Sequence, residues 1–319
     1  MFSWFYEKGL RQGIFWAVLI YLICAMNDVL SRCLGHRLHF VEISFFRFLF
    51  SAVIVLIPIG FSKRNLFQST IHKWHLWRGT LGAVALMLCC WSVNIMPFAE
   101  NTVILFSESL FMLPLTAIFL SERTSAKSVC ATLIGFLGLI IMYRPNATNI
   151  NLTAIVPTLA AILFSVMNVM MKKMVDNKEN DLTMLFYFAL YATVLSGAIV
   201  PFFWTTPNFR EFVLLFFLGI GANVIQLFVF LAYRATSASN VSQVRYIELP
   251  FAILFGFLFF GEIPDSAAFF GAFLIIIGTI IASYFNKSLP SQKPRIAYNT
   301  SLKKFLPYFK IFFVPKKFK

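Results

Sequence analysis

The chain repeats itself. Met26-Asn27 returns as Met167-Asn168 and Arg32 as Lys173, each pair 141 residues apart. Gly82-Ala83 returns as Gly221-Ala222, 139 apart. Leu120-Ser121-Glu122 returns as Phe260-Gly261-Glu262, and Gly138 as Gly278, each 140 apart. A near-constant offset along almost the whole length marks a tandem duplication, so any fold open to the first copy must also be open to the second. Each copy is almost wholly apolar and holds five stretches long enough to cross a bilayer, which takes about 20 apolar residues as helix. An odd number of crossings inserts the second copy upside down. Inverted repeats of that kind place a substrate near the bilayer midplane, between the halves.

Composition agrees with a membrane setting. Hydrophobic residues make up 59% and charged residues 13% of the chain, against about 25% charged in soluble domains. The expected fold is an all-α membrane protein of ten transmembrane helices, a 5+5 inverted repeat. The spans are placed at 13–34, 41–61, 79–96, 98–120, 127–143, 152–171, 183–203, 211–232, 238–260 and 266–285. They divide the chain into a first repeat (1–145), a second repeat (146–286) and a basic tail (287–319). The N-terminal apolar run lacks a small-residue cleavage pattern and reads as the first span, not as a signal peptide. Cys24, Cys33, Cys89, Cys90 and Cys130 lie in or beside apolar segments with no metal-ligand spacing, and read as small hydrophobes.

Ten spans with the N-terminus inside place 21 of the 27 Lys and Arg residues on one side and 4 on the other, with Arg47 and Arg245 within spans. Without the tail the imbalance is still 12 against 4. Positive residues favour the cytoplasm, so both termini of a multi-pass membrane protein are expected there. The net charge of +14 is thereby explained with no nucleic-acid partner. The tail mixes Lys with Phe305, Tyr308, Phe309, Phe312 and Phe313, and reads either as a solvated, poorly ordered end or as a segment that adheres to anionic lipid.

Ionisable residues inside spans are costly and mark function by default. Here they are Asp28 and Arg32 in span 1, Glu42 and Arg47 in span 2, Glu100 and Glu108 in span 4, and Arg245 with Glu248 in span 9. Spans 4 and 9 are equivalent in the duplication, so Glu108, Arg245 and Glu248 are expected to face one cavity near the pseudo-twofold axis. Two readings stand side by side. In one the three groups line a substrate cavity; in the other Arg245 only neutralises a carboxylate across a helix interface. Asp28 and Arg32, at i and i+4, can satisfy one another. Asn27 and Asn168, equivalent in the two copies, read as packing or interhelical hydrogen bonding more than ligand contact. Asn94 adds a neutral polar group, and Trp91 and Tyr246 are the aromatic residues placed to stack on a planar ring or face a cation. Glu122 and Glu262 close spans 4 and 9 at matching points and read as helix-end residues. The four histidines fall in two short loops. The sequence has no nucleotide-binding loop, no His pair at ligand spacing and no nucleophile beside a base, so neither an enzyme nor a cofactor or metal site is expected.

Pro97-Phe-Ala-Glu-Asn-Thr, Leu120-Ser-Glu-Arg123 with a glycine-bearing span after it, and Glu248-Leu-Pro250 with Phe260-Gly-Glu262 in the second copy resemble the EamA-type drug/metabolite transporters over about residues 10–285. The resemblance implies a secondary carrier of small metabolites. A narrower stretch, Asn27-Asp-Val-Leu-Ser-Arg-Cys-Leu-Gly35 with Arg37-Leu-His39, Glu42 and Phe45-Phe-Arg-Phe-Leu-Phe-Ser51, resembles the S-adenosylmethionine uptake carriers of intracellular bacteria. That resemblance implies S-adenosylmethionine as substrate, in some members exchanged for S-adenosylhomocysteine. The chemistry is compatible: Glu108 or Glu248 for the cationic groups, Arg245 for the carboxylate, Trp91 or Tyr246 for the adenine. Two alternatives remain open. One is a proton-coupled amino-acid or drug exporter with Glu108 or Asp28 as proton carrier. The other is a non-transporting scaffold acting through the basic tail.

Overall fold

A computed structural model describes residues 8–60, 69, 71–119, 130, 133–135, 137–138, 141, 152–177, 179–235, 241, 245, 248–263 and 266–286. Span 5 falls largely outside these residues, as do Glu122, Gln243, Tyr246 and the tail.

The described chain is helical, with no strand. Helices are what an apolar chain must form in lipid, where every backbone group needs an internal partner. They run α1 (Lys8–Leu34), α2 (Phe40–Gly60), α3 (His72–Ile95), α4 (Phe98–Leu105), α5 (Ser107–Phe119), α6 (Ile155–Asp176), α7 (Asp181–Ile199), α8 (Phe209–Ala235), α9 (Glu248–Phe260) and α10 (Ser266–Asn286). Among the described residues seven helical stretches are long and apolar enough to cross a membrane, and Phe251–Phe260 and Phe269–Gly278 are shorter apolar helices.

Polar ties between helix termini sort them onto two poles. At the first, Arg32 near the end of α1 pairs with Glu262 just beyond α9, and the Phe98 amide opening α4 donates to Glu262 at 2.6 Å. Arg37 pairs there with Glu211 at the start of α8, and the Thr205 amide donates to Glu42 at the start of α2. At the second pole His75 in α3 meets Glu179 at 3.2 Å, Arg234 near the end of α8 pairs with Asp181 opening α7, and Lys172 in α6 donates to the Tyr233 carbonyl. Consecutive long helices therefore run in opposite directions.

The duplication is visible in the packing. α1 lies along α8, and its counterpart α6 lies along α3; α2 against α8 is matched by α7 against α3; α1 against α9 is matched by α6 against α5; α2 against α7 is its own counterpart. Glycines at equivalent positions permit the closest of these approaches. A Cβ on Gly82 of α3 meets Met167 Sδ at 2.8 Å, and one on Gly221 of α8 meets the Asn27 amide nitrogen at 2.8 Å. Met167 and Asn27 are the residues of the Met-Asn pair that recurs between the copies.

Three expectations are corrected. The third helix begins at His72, not at residue 79, so His72 and His75 are helical and Arg78 is inside the bundle. Arg78 is fully buried; it donates to the Met184 carbonyl (2.9 Å) and Gln226 (2.7 Å), and its guanidinium lies 4.6 Å from the Phe188 ring. Those partners replace water and allow the extra turns. Span 4 is two helices, broken at Phe106, whose amide is shared by the carbonyls of Thr102 and Val103. Arg32 pairs with Glu262 in place of Asp28, because Gly261 ends α9 in the left-handed region at φ 66° and turns Glu262 toward α1.

Candidate functional site: a buried charge cluster between the repeats

The break at Phe106 makes Ser107 and Glu108 the first turn of α5. In the second copy Glu248 opens α9, three residues after Arg245, which sits in a 3-10 turn. Glu108 and Glu248 are 140 apart, the offset of the duplication, so each copy presents a carboxylate in the first turn of a helix. That is where the helix dipole favours negative charge. Both are buried, 6% and 2% exposed.

Arg245 joins the two. Its guanidinium pairs with Glu108, and its Nε stands 3.4 Å from Glu248 Oε2, close enough to attract but without hydrogen-bond geometry. Glu108 is held from behind: Asn168 of α6 donates to its side chain at 2.7 Å and Ser165 to its carbonyl at 2.9 Å. From α1, Asp28 is within electrostatic reach of Arg245, Arg47 and Glu248. Cys24, Asn27, Asp28 and Ser31 follow the i, i+3, i+4, i+7 spacing that lines one helix face. Tyr21, one turn earlier, donates to the Val241 carbonyl at 3.2 Å, with its ring 5.9 Å from the Arg245 guanidinium.

The site thus brings together Asp28, Glu108, Arg245 and Glu248 of the residues expected from sequence. It does not bring Trp91 or Asn94 to them. Trp91 is 39% exposed and stacks on Phe40 at 5.4 Å. Asn94 donates to the Cys90 carbonyl of its own helix at 2.7 Å and abuts Gly35. Tyr246 lies outside the described residues. One participant escaped the sequence reading: Tyr21 is one aromatic among many, and only its i, i+3 relation to Cys24 set it apart. Asn168, read from sequence as packing or interhelical hydrogen bonding, makes such a bond to Glu108. No group of acidic, histidine or cysteine side chains suited to a metal occurs among the described residues.

A cluster of opposed charges at the seam of a duplicated helical bundle, reached through broken helices, is the architecture of a secondary transporter. Comparison with known proteins identifies which. The model of the EamA-like transporter family matches twice, at residues 11–144 and 152–284, and the chain belongs to that family. It is a membrane transporter, not an enzyme, and a multi-pass protein of the bacterial inner membrane. It is 34% identical over 286 residues to the S-adenosylmethionine uptake transporter of Rickettsia bellii, covering 90% of this chain and 98% of that one. It is also similar to the riboflavin transporter of Vibrio cholerae (26% identity, covering 77% of this chain and 84% of that one). The pseudopaline exporter CntI of Pseudomonas aeruginosa matches at 25% identity over 86% of this chain and 96% of its own. Relatives of one family therefore carry chemically different cargo.

Proposed function

We propose that the chain imports S-adenosylmethionine by alternating access. It would do so through ten spans arranged as two inverted five-span copies (residues 1–145 and 146–286), with both termini and the basic tail 287–319 in the cytoplasm. The first pole, where Arg32 meets Glu262, then faces the periplasm. The excess of Lys and Arg on the second side and the paired helix packing support this arrangement.

The observation that carries the substrate is the charge of the cluster. Asp28, Glu108 and Glu248 bring three carboxylates, whereas Arg47 and Arg245 bring two guanidiniums. With all three carboxylates ionised the cluster is one positive charge short, and an uncompensated buried charge is expensive. S-adenosylmethionine, with a sulfonium, an ammonium and a carboxylate, carries one net positive charge and supplies what is missing. Glu248 and Asp28 take the cationic groups. Arg245, held by Glu108, takes the carboxylate. The adenine is left to Tyr21 or Tyr246. Trp91 and Asn94 are not in this set, given the exposure of Trp91 and the bond of Asn94 to its own helix. Riboflavin and other uncharged cargo leave the deficit unfilled. S-adenosylhomocysteine lacks the methyl and with it the sulfonium charge, so it leaves the deficit unfilled; exchange for it rests on the adenosine and amino-acid groups the two compounds share, at lower affinity.

The test is uptake of radiolabelled S-adenosylmethionine by bacteria expressing the chain, challenged with unlabelled S-adenosylhomocysteine, methionine and riboflavin. Saturable uptake blocked by the homocysteine analogue alone is the expected result. No uptake above empty-vector cells, with the protein shown to be in the membrane, contradicts it. The same charge deficit supports a second reading, in which a proton fills it and the chain is a proton-coupled exporter. Efflux that tracks an imposed pH gradient is the mark of that alternative.

A further inference from the structure

The duplication makes the two halves of the cluster comparable atom by atom. In one half Asn168 donates its amide to Glu108 at 2.7 Å. The residues equivalent to that pair are Asn27 and Glu248. Both are nearly inaccessible, 3% and 2% exposed, yet Asn27 Nδ2 and Glu248 Oε2 have no hydrogen-bond partner among the described residues. Packing against Gly221 fixes the Asn27 side chain without using its amide hydrogens. Ser31 Oγ, one turn along α1 from Asn27, is buried and without a hydrogen bond in the same way, and Arg245 Nε and Glu248 Oε2, 3.4 Å apart, attract one another without forming one. Such groups are costly unless something else completes them. Here they are three donors and one acceptor, gathered on α1 and the segment opening α9.

We infer that Asn27 is a substrate-binding residue, and that Asn27, Arg245 and Glu248 together read the zwitterionic headgroup of an α-amino acid. The substrate ammonium completes Glu248 Oε2, and the substrate carboxylate accepts from the Asn27 amide and Arg245 Nε. The paired half, Asn168 with Glu108, is the scaffold that holds Arg245. This inference rests on the transporter reading of the cluster. It adds what the charge deficit alone does not specify, namely that the ligand must carry an adjacent carboxylate and ammonium.

The experiment measures thermal stabilisation of the full chain in detergent by four compounds: S-adenosylmethionine, its decarboxylated form, 5′-methylthioadenosine and methionine. The wild type should be stabilised by S-adenosylmethionine, weakly by the decarboxylated form and not by methylthioadenosine. Asn27→Ala should leave the unliganded midpoint unchanged or raised, since an orphan amide is removed. It should weaken S-adenosylmethionine about tenfold, the loss of one hydrogen bond to a charged group, and leave the decarboxylated form unaffected. Asn27→Asp, of the same shape, should lose the same preference. Asn168→Ala should instead lower the unliganded midpoint. Undiminished affinity in both Asn27 variants, or equal loss for both adenosyl compounds with a lowered midpoint, overturns the assignment. If no adenosyl compound stabilises the wild type, the S-adenosylmethionine reading fails by itself. The headgroup assignment is then decided by free α-amino acids against their decarboxylated amines. A shift with the acid only, lost in Asn27→Ala, upholds it; no shift with either overturns it.

Discussion

At the scale of residues, the cluster turns on who is paired. Removing one partner of a buried ion pair strands the other, at a cost of about 3–5 kcal/mol, whereas removing both costs far less. Glu108→Gln and Arg245→Gln should each lower the thermal midpoint and abolish uptake. The double variant should recover most of the midpoint and none of the uptake; a double variant as unstable as the sum of the singles refutes the pairing. Arg78 calls for a different argument, because its partners are a carbonyl, an amide and two aromatic faces. Lysine has neither the fork nor the planar stack. Arg78→Lys should therefore destabilise by about 1–3 kcal/mol through the amide and carbonyl left without donors, read as a loss of midpoint with the substrate affinity of the surviving protein unchanged. Sequence grouped Glu108, Arg245 and Glu248, which the structure brings into contact, because charges stand out against an apolar background. It missed Tyr21 and the depth of Arg78, because neither an extra aromatic nor a charge just before a span's expected start looks unusual until its neighbours are known.

At the scale of elements, the apolar helices of the described chain were legible, whereas the early start of the third and the break inside the fourth were not. Apolar length sets where a helix can lie in a bilayer; it is blind to a single tight step such as that at Phe106, where no glycine or proline sits. That step is what sets Glu108 in a first turn and not in the middle of a helix. The glycines at 82 and 221 were visible only as markers of the duplication; their role in close packing came with the structure. Gly82→Leu and Gly221→Leu place a branched side chain where even a Cβ is crowded by Met167 or Asn27. Each should cost about 1–3 kcal/mol as overpacking, measured as lost midpoint and lower membrane yield. A leucine at either site that leaves the midpoint intact contradicts the close approach of α1 to α8 or of α6 to α3.

At the scale of the whole molecule, the account rests on which pole faces which compartment and on the charge the centre lacks. Cys33, beside the Arg32–Glu262 tie, and Cys130, in the expected fifth span, are both exposed, whereas Cys89 and Cys90 are buried. In spheroplasts an impermeant maleimide should label Cys33, and Cys130 only after permeabilisation; the reverse pattern contradicts the proposed topology. The pairing of Glu108 with Glu248 was legible in the duplication, since the two are separated by its offset of 140. What it does not tell is that the copies have diverged in bonding, Glu108 satisfied by Asn168 and Glu248 not satisfied by Asn27. That divergence depends on side-chain geometry that residue identity leaves open.

The most direct measurement is the ratio of dissociation constants of S-adenosylmethionine and S-adenosylhomocysteine for the wild type and for Glu248→Gln. The first ligand carries one more positive charge than the second, and the variant removes the deficit that charge fills. The wild type should favour S-adenosylmethionine, and the preference should fall about tenfold or more in the variant, as expected when one close buried charge interaction is lost. A ratio unchanged by Glu248→Gln, with both compounds still bound, contradicts a cluster that selects its cargo by charge.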